Sequence, residues 1–190
     1  MYKISFIRNV LPSDVIHEEG IKSFGIIENK ATIVGQLCRV ENTLFVRSKT
    51  ENYQPEKFDV VVGKVFNSSN EIYRVDVSGY NGILPNLSFR NATKKSRPEL
   101  QKGDLVLAQI EEKTENELLL SCKGESLGRI EEAFEVSPWK IRMLCFSKIL
   151  VEVEGDYKIG LGMNGYIYIE GESEIKEEIL LKVNKMQEGN

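Results

Sequence analysis

Between positions 59 and 123 five short β-rich runs follow one another. They are DVVVGKVF (59–66), EIYRVDV (71–77), GILPNLSF (82–89), DLVLAQIEE (104–112) and ELLLSC (117–122). Turn-forming residues separate them: Asn67-Ser68-Ser69-Asn70, Ser78 to Gly82, Gly103-Asp104 and Thr114-Glu115-Asn116. β-Branched and aromatic side chains suit a pleated, half-buried surface, while Gly, Asn, Asp and Ser supply the backbone shapes that turns need. A lone hairpin is marginal in water, so runs this short must close on a shared core.

Five strands with one longer excursion, between the third and fourth, predict a small barrel of the OB type over 59–123. Residues 1–58 are also β-rich. Val10-Leu11-Pro12 enters a Gly-punctuated stretch, and ATIVGQLCRV with TLFVRS reads as a hairpin turning at Glu41-Asn42. This is a small β domain that buries too little surface to stand alone. Beyond Gly124 the period changes. Ser137-Pro138 is a helix start, with Ser as the cap and Pro in the first turn, and Ile141, Leu144 and Cys145 then share one face. KILVEV and YIYI read as strands, and EIKEEILLKVNKM (174–186) aligns Ile175, Ile179, Val183 and Met186 on a final helix. Residues 124–190 therefore have the content of a KH-like α+β domain. The fold class is mainly β, with an α+β C-terminal part.

The net charge of −4 and pI of 5.3 do not by themselves point to nucleic acid. Charge is uneven, however. Residues 1–58 hold 8 basic and 7 acidic side chains, residues 59–123 hold 9 and 9, and residues 124–190 hold 8 and 13. From Val77 to Pro98 no acidic residue occurs, while Arg90, Lys94, Lys95 and Arg97 fall close together in the long excursion. Closely spaced cations are suited to tracking a phosphate backbone. Lys64 and Arg74 join them as candidates on the barrel strands. Alternation puts Tyr73, Val75 and Val77 on the core face and sends Arg74 outward, where a guanidinium plane can stack on a base. The plain alternative for the basic loop is a solvated segment or a docking surface for another protein.

Catalytic chemistry finds no foothold. His17 is the single histidine and has no Cys or carboxylate cluster at ligand spacing beside it. Acidic residues show no D-x-D or D-x-E cluster of the kind that holds two divalent metals in hydrolytic nucleases. Glu131-Glu132 and Glu177-Glu178 are adjacent pairs, which face different sides of a helix. No catalytic residue, metal or cofactor is expected. Cys38, Cys122 and Cys145 are scattered and odd in number, the usage of reduced thiols in the cytosol or nucleus. No stretch approaches the roughly 20 apolar residues a membrane span needs, so no membrane partner is expected.

The segment LSFRNATKKSRPELQKGDLVLAQI (87–110), with GLGMNGYIYI (160–169) further on, resembles the RNA exosome cap subunits of the ribosomal RNA-processing protein 40 type. The residues carrying the resemblance are Ser88-Phe89, Ala92-Thr93-Lys94, Arg97-Pro98, Gly103-Asp104 and Gly162-Met163-Asn164-Gly165. Val10-Leu11-Pro12 and Tyr53-x-Pro55 extend it toward the N-terminus. It implies an N-terminal β domain, an S-one-type OB barrel and a KH-like domain, in that order. It also implies a non-catalytic subunit that helps to assemble the exosome ring and guides RNA 3′ ends into processing and decay. The implied partners are sequence-tolerant single-stranded RNA, RNase PH-like ring subunits and other cap subunits, in nucleus, nucleolus and cytoplasm. Alternatives are the sister cap subunit of processing-protein-4 type, which shares the G-x-N-G element, a small ribonuclease, or an OB-fold translation factor. In phosphorolytic nucleases the KH and S-one modules come in the reverse order behind long catalytic domains, which disfavours the ribonuclease.

Two short motifs bear on the turns of the fold. Lys57-Phe58-Asp59 occupies the place where the family usually has a Gly before the Asp, so a different turn is expected there. Gly162-Met163-Asn164-Gly165 looks like the G-x-x-G clamp that grips nucleic-acid backbone in KH domains, but that clamp joins two helices. Here the flanks have strand period, so the motif is expected to be a structural tight turn, of type I′ if Asn164 and Gly165 both take positive φ.

Overall fold

The structure is a computed structural model and describes residues 4–48, 53–146 and 153–185. Six strands lie near the N-terminus: β1 (Ser5–Val10), β2 (Ile21–Lys22), β3 (Ile26–Ile27), β4 (Lys30–Ala31), β5 (Gly35–Val40) and β6 (Thr43–Arg47). Their main sheet has the order β1-β5-β6-β2, and β3 pairs with β4 separately. Val10, Ile16, Ile26, Ala31, Leu37, Leu44 and Val46 pack as its core. β5 and β6 form the hairpin read from the sequence, turning through Glu41 at φ 50°.

The barrel follows as β7 (Val60–Ser68), β8 (Ile72–Val77), β9 (Tyr80–Pro85), β10 (Leu105–Lys113) and β11 (Glu117–Ser121). The strand order is β11-β9-β8-β7-β10, and β11 also pairs with β10, so the five strands close. Val61, Val65, Tyr73, Val75, Val77, Leu84, Val106, Ala108, Ile110, Leu118 and Leu120 fill the interior. The third strand differs from the sequence expectation, starting and stopping earlier than 82–89. Ser78 (φ 52°) and Gly79 (φ 90°) make a two-residue turn, so Val77 pairs directly with Tyr80. A second turn, in which the Ser88 N–H donates to the Pro85 C=O at 2.9 Å, ends the strand.

Beyond the barrel come β12 (Gly128–Ile130), β13 (Phe134–Glu135), α1 (Pro138–Phe146), β14 (Lys158–Gly162), β15 (Tyr166–Glu170) and α2 (Ser173–Asn184). β12 extends the barrel sheet along β10, and β13-β15-β14 make a separate sheet. Val62, Leu107 and Ile130 form a second apolar layer outside the barrel, against which Tyr166 and Tyr168 pack. β7 and β10 are thus buried on both faces, which is why VVV (60–62) and LVLA (105–108) read as continuous apolar runs.

In α1, Ile141 and Leu144 are buried as the helical face predicts, but Cys145 is exposed and Met143 is buried instead. In α2, Ile179 and Val183 are fully buried. Met186 and all of KILVEV but Val153 lie outside the described residues. Contacts group the chain into two units that are discontinuous in sequence. One comprises Tyr53–Ile141 with Asp156–Glu172, and the other Met1–Asn52, Arg142–Gly155 and Ser173–Asn190. In the latter the Arg142 guanidinium lies 3.5 Å from the Phe24 ring centroid, a cation–π contact between α1 and the turn that joins β2 to β3.

Burial pushes the thiols of Cys38 and Cys122 up, Cys122 to about 12, whereas Cys145 is exposed. A raised thiol pKa leaves less of the reactive thiolate at any lower pH. Titration of the folded protein with a disulfide reagent at mildly alkaline pH should therefore show one fast thiol, and all three after denaturation.

Candidate nucleic-acid interface

The excursion between β9 and β10 carries the basic residues, and the barrel core holds it at both ends. Phe89 and Leu100 are buried members of that core, and Ala92 packs against it. Tyr73 meets Phe89 edge to face, with centroids 6.3 Å apart, and its hydroxyl donates to the Pro98 C=O at 2.8 Å. Within the loop the Thr93 N–H donates to Ser96 C=O at 2.9 Å and the Ser96 N–H to Thr93 C=O at 3.2 Å. That reciprocal pair makes a tight turn with Lys94 and Lys95 at its tip.

The four loop cations are not equivalent. Arg90 pairs with Glu125 at 3.3 Å, an exposed contact. Arg97 Nη1 donates to the Asn70 C=O at 2.9 Å, and the Asn86 amide donates to the same carbonyl. Arg97 thus fastens the excursion to the β7–β8 turn. Lys94 and Lys95 are exposed and make no hydrogen bond or ion pair among the described residues. They are the cations left for an external anion.

Arg74 does project from the outer face of β8, as alternation requires, but it is engaged. Its Nη1 lies 2.6 Å from Glu117 Oε1, and Asn81 Nδ2 donates to the same oxygen at 3.2 Å. A base stacking on this guanidinium would meet a neutralised pair. Lys64 is exposed on β7, opposite Asp76 of β8. The structure adds a residue that the sequence reading omitted, Phe66, which is 45% exposed at the β7 bulge, next to Asn67, the partner of Arg74. Period-two alternation from Val61 and Val65 would have sent it outward. An exposed aromatic beside outward cations is the usual furniture of a single-strand binding face.

Gly162-Met163-Asn164-Gly165 links β14 to β15, not two helices. Gly162 pairs with Tyr166, and the Gly165 N–H donates to the Gly162 C=O at 2.9 Å, leaving a three-residue loop. Of the residues expected to take positive φ in a type I′ turn, Gly165 does (φ 91°) and Asn164 does not. The turn is the three-residue kind that ends in a left-handed residue, which frees the Asn164 side chain to point into the protein. Its carboxamide, in a residue only 5% exposed, accepts from the Val62 N–H at 3.0 Å and donates to the Val62 C=O at 2.8 Å. The same Nδ2 reaches Ser78 Oγ at 3.0 Å.

These bonds fill a gap in the barrel. β7 and β8 are paired at Lys64 and Asp76, and two residues further on Ser78 would face Val62. Ser78 turns away instead, so Asn164 takes the place of a neighbouring strand. Glycine permits the approach: a β-carbon on Gly160 would lie 2.4 Å from Leu107 Cδ2, and one on Gly162 would lie 3.0 Å from the Val62 nitrogen. Tyr168 stands over this outer layer with its phenol pushed up to about 12, by burial first and then by the nearby carboxylates of Glu170, Glu131 and Glu132. His17 is exposed, and among the described residues no three His, Cys, Asp or Glu converge as metal ligands.

A closed five-stranded OB barrel of the S1 type with a KH α+β region defines a class of RNA-binding protein. Comparison with known families makes it specific. Residues 53–132 match the family model "Exosome complex component RRP40, S1 domain", and residues 133–175 match a KH domain model. Exosome complex component rrp40 of Schizosaccharomyces pombe is 28% identical over 191 residues, covering 86% of this chain and 79% of that protein. Human exosome complex component RRP40 is 34% identical over 151 residues, 72% of this chain and 54% of the relative. This chain thus spans about half the length of the human protein. Exosome complex component Rrp4 of Methanobrevibacter smithii is 28% identical over 137 residues, covering 66% and 45%. A solved structure titled "Crystal structure of putative exosome complex RNA-binding protein" is 26% identical with TM-score 0.57, covering 72% of this chain and 86% of its own. By sequence the chain is similar to RRP40 components of the exosome, and its barrel matches the model of their S1 domain.

Asn164→Ala strands a buried N–H and C=O at once and should cost about 2–6 kcal/mol in urea unfolding, from about 1–3 kcal/mol per unsatisfied group. Gly165→Val should cost about 1–3 kcal/mol through its positive φ, aggravated by a β-carbon 2.7 Å from the Val136 carbonyl oxygen. Once corrected for the folded fraction, RNA affinity should be unchanged in both variants. A stable Gly165→Val protein that has lost RNA binding would identify the motif as a clamp instead.

Proposed function

We propose that this chain is a non-catalytic RNA-binding cap subunit of the RNA exosome, which helps to assemble the ring and guides RNA 3′ ends toward the 3′–5′ machinery. The observation carrying this reading is the pair Lys94 and Lys95, exposed and unpaired among the described residues, on a loop anchored in the barrel core at Phe89 and Leu100. Ammonium groups on a turn of fixed position can follow a phosphodiester chain without reading its bases, which suits a subunit that must accept many RNAs. Phe66 and Lys64, on the adjoining strand, offer a stacking surface and a further cation. Arg90 and Arg97 serve the loop's own shape first. Processing and decay of ribosomal and other RNAs follow from membership of such an assembly, as does residence in nucleus, nucleolus and cytoplasm. RNase PH-like ring subunits and the other cap subunits are its protein partners.

Binding of a single-stranded RNA oligonucleotide should be weak and salt-sensitive. Two phosphate contacts give a log–log salt slope of about −1.4, at roughly −0.7 per contact. Replacing Lys94 and Lys95 with Ala should flatten that slope by the same amount, whereas Arg90→Ala alone should leave it nearly intact. An unchanged slope in the double variant would remove RNA from this loop. The purified chain should release no nucleotides from RNA with magnesium, manganese or phosphate.

A further inference from the structure

At the entry to the barrel, Glu56-Lys57-Phe58-Asp59 forms a turn in which the Asp59 N–H donates to the Glu56 C=O at 3.2 Å. Phe58 holds its third position with φ 74°. Positive φ at that position is what Gly ordinarily supplies, because a β-carbon there crowds the backbone. A bulky residue in this conformation persists only where its surroundings hold it. Here they do. The Phe58 N–H donates to the Ile110 C=O at 2.8 Å, and the Ile110 N–H donates to the Asp59 C=O at 2.9 Å. The Asp59 carboxylate accepts from the Tyr53 hydroxyl at 2.7 Å and the Glu56 N–H at 3.1 Å. Gln109 Nε2 donates to the Phe58 C=O at 3.2 Å.

None of these bonds uses the phenyl ring. Phe58 is 66% exposed, with the Lys57 ammonium 5.1 Å from the ring centroid. Glycine could make every one of them without strain. The turn therefore keeps a strained aromatic that contributes nothing to the barrel core, and its ring is available to something outside the chain.

Position and charge select the partner. Nine-residue β7 spans roughly 26 Å at about 3.3 Å per residue. Phe58 precedes one end of it, while the turn at the other end contains Asn70, whose carbonyl holds Arg97 of the basic loop. The ring thus lies at the opposite end of β7 from the basic loop. Glu56, Lys57 and Asp59 flank it in the chain, and Ile110, which bonds both Phe58 and Asp59, is followed by Glu111, Glu112 and Lys113, so the adjoining sequence carries four acidic side chains against two basic ones, a balance that disfavours phosphate. We infer that Phe58 is an anchor for a neighbouring protein, its ring seated in an apolar socket edged by Lys or Arg side chains. Opposite charge at the rim sets the register of such a contact, and a desolvated aromatic at its centre supplies the affinity. The inference rests on the cap-subunit reading, so the neighbour is a subunit of the ring.

The test is titration of the full chain against an exosome ring reconstituted without it, alongside thermal unfolding and binding of a single-stranded RNA oligonucleotide. Phe58→Gly and Phe58→Ala should each weaken ring binding by about ten-fold or more, with RNA affinity unchanged. Phe58→Gly should leave the melting temperature unchanged or raise it by up to roughly 4 °C, since it also relieves the backbone. Phe58→Tyr should retain ring binding. Unaltered ring affinity in Phe58→Gly would overturn the anchor while leaving the cap-subunit reading standing. Lost RNA affinity with intact ring binding would also overturn it, making the ring a base-stacking platform. A wild-type chain that does not join the ring would overturn both readings.

Discussion

Val62 carries a backbone N–H and C=O at the point where β8 has already turned away from β7, and both groups are buried. Left without partners, each would cost about 1–3 kcal/mol, which is large beside the stability of a small domain. The Asn164 carboxamide satisfies both at 3.0 and 2.8 Å and adds Ser78 Oγ at 3.0 Å. A carboxamide is suited to this because it presents one donor and one acceptor side by side, as a peptide group does. Much else follows from that contact. It requires the β14–β15 hairpin to lie against the barrel, glycine at 160 and 162 to let it approach, and an apolar layer of Val62, Leu107 and Ile130 beneath. The KH-region sheet is accordingly in one compact unit with the barrel, although the sequence separates Val62 from Asn164 by 102 positions.

The same economy governs the basic loop. An excursion of this length would ordinarily be mobile, and a mobile loop loses entropy when it binds. Phe89, Ala92 and Leu100 tie it to the core, and the Tyr73 and Arg97 hydrogen bonds fix it further. Two of its four cations are used inside the molecule, so the clustering visible in the sequence overstates the charge on offer to RNA. Arg74 has the same history on the barrel face: it points outward but is neutralised by Glu117.

Phe58 is the counter-example to the close fit between residue and backbone elsewhere in the barrel. Ser78-Gly79 and Gly165 place small residues where φ is positive, whereas the turn into β7 places a phenylalanine there. A missing glycine at this position predicts a different turn. The turn has instead the geometry that a glycine favours, held by Asp59 and Ile110, and the side chain accepts the strain.

The barrel was legible because strand alternation and turn chemistry are local. VVVGKVF, IYRVDV and LVLAQI announce their strands, and Asn164-Gly165 announces a turn, from side chains a few positions apart. Ser137-Pro138 likewise marked the start of α1. What the sequence could not convey was which partner each polar group would find. That Glu117 would meet Arg74, that Asn70 would hold Arg97, and that Asn164 would complete Val62 depends on strands brought together from 27 to 102 positions apart. The sequence by itself determined the strands, the turns and the cations available. Only the tertiary structure decided which cations remain exposed and which carboxamide closes the barrel, because hydrogen bonds and ion pairs act over a few ångströms, and those distances exist only after the chain has folded.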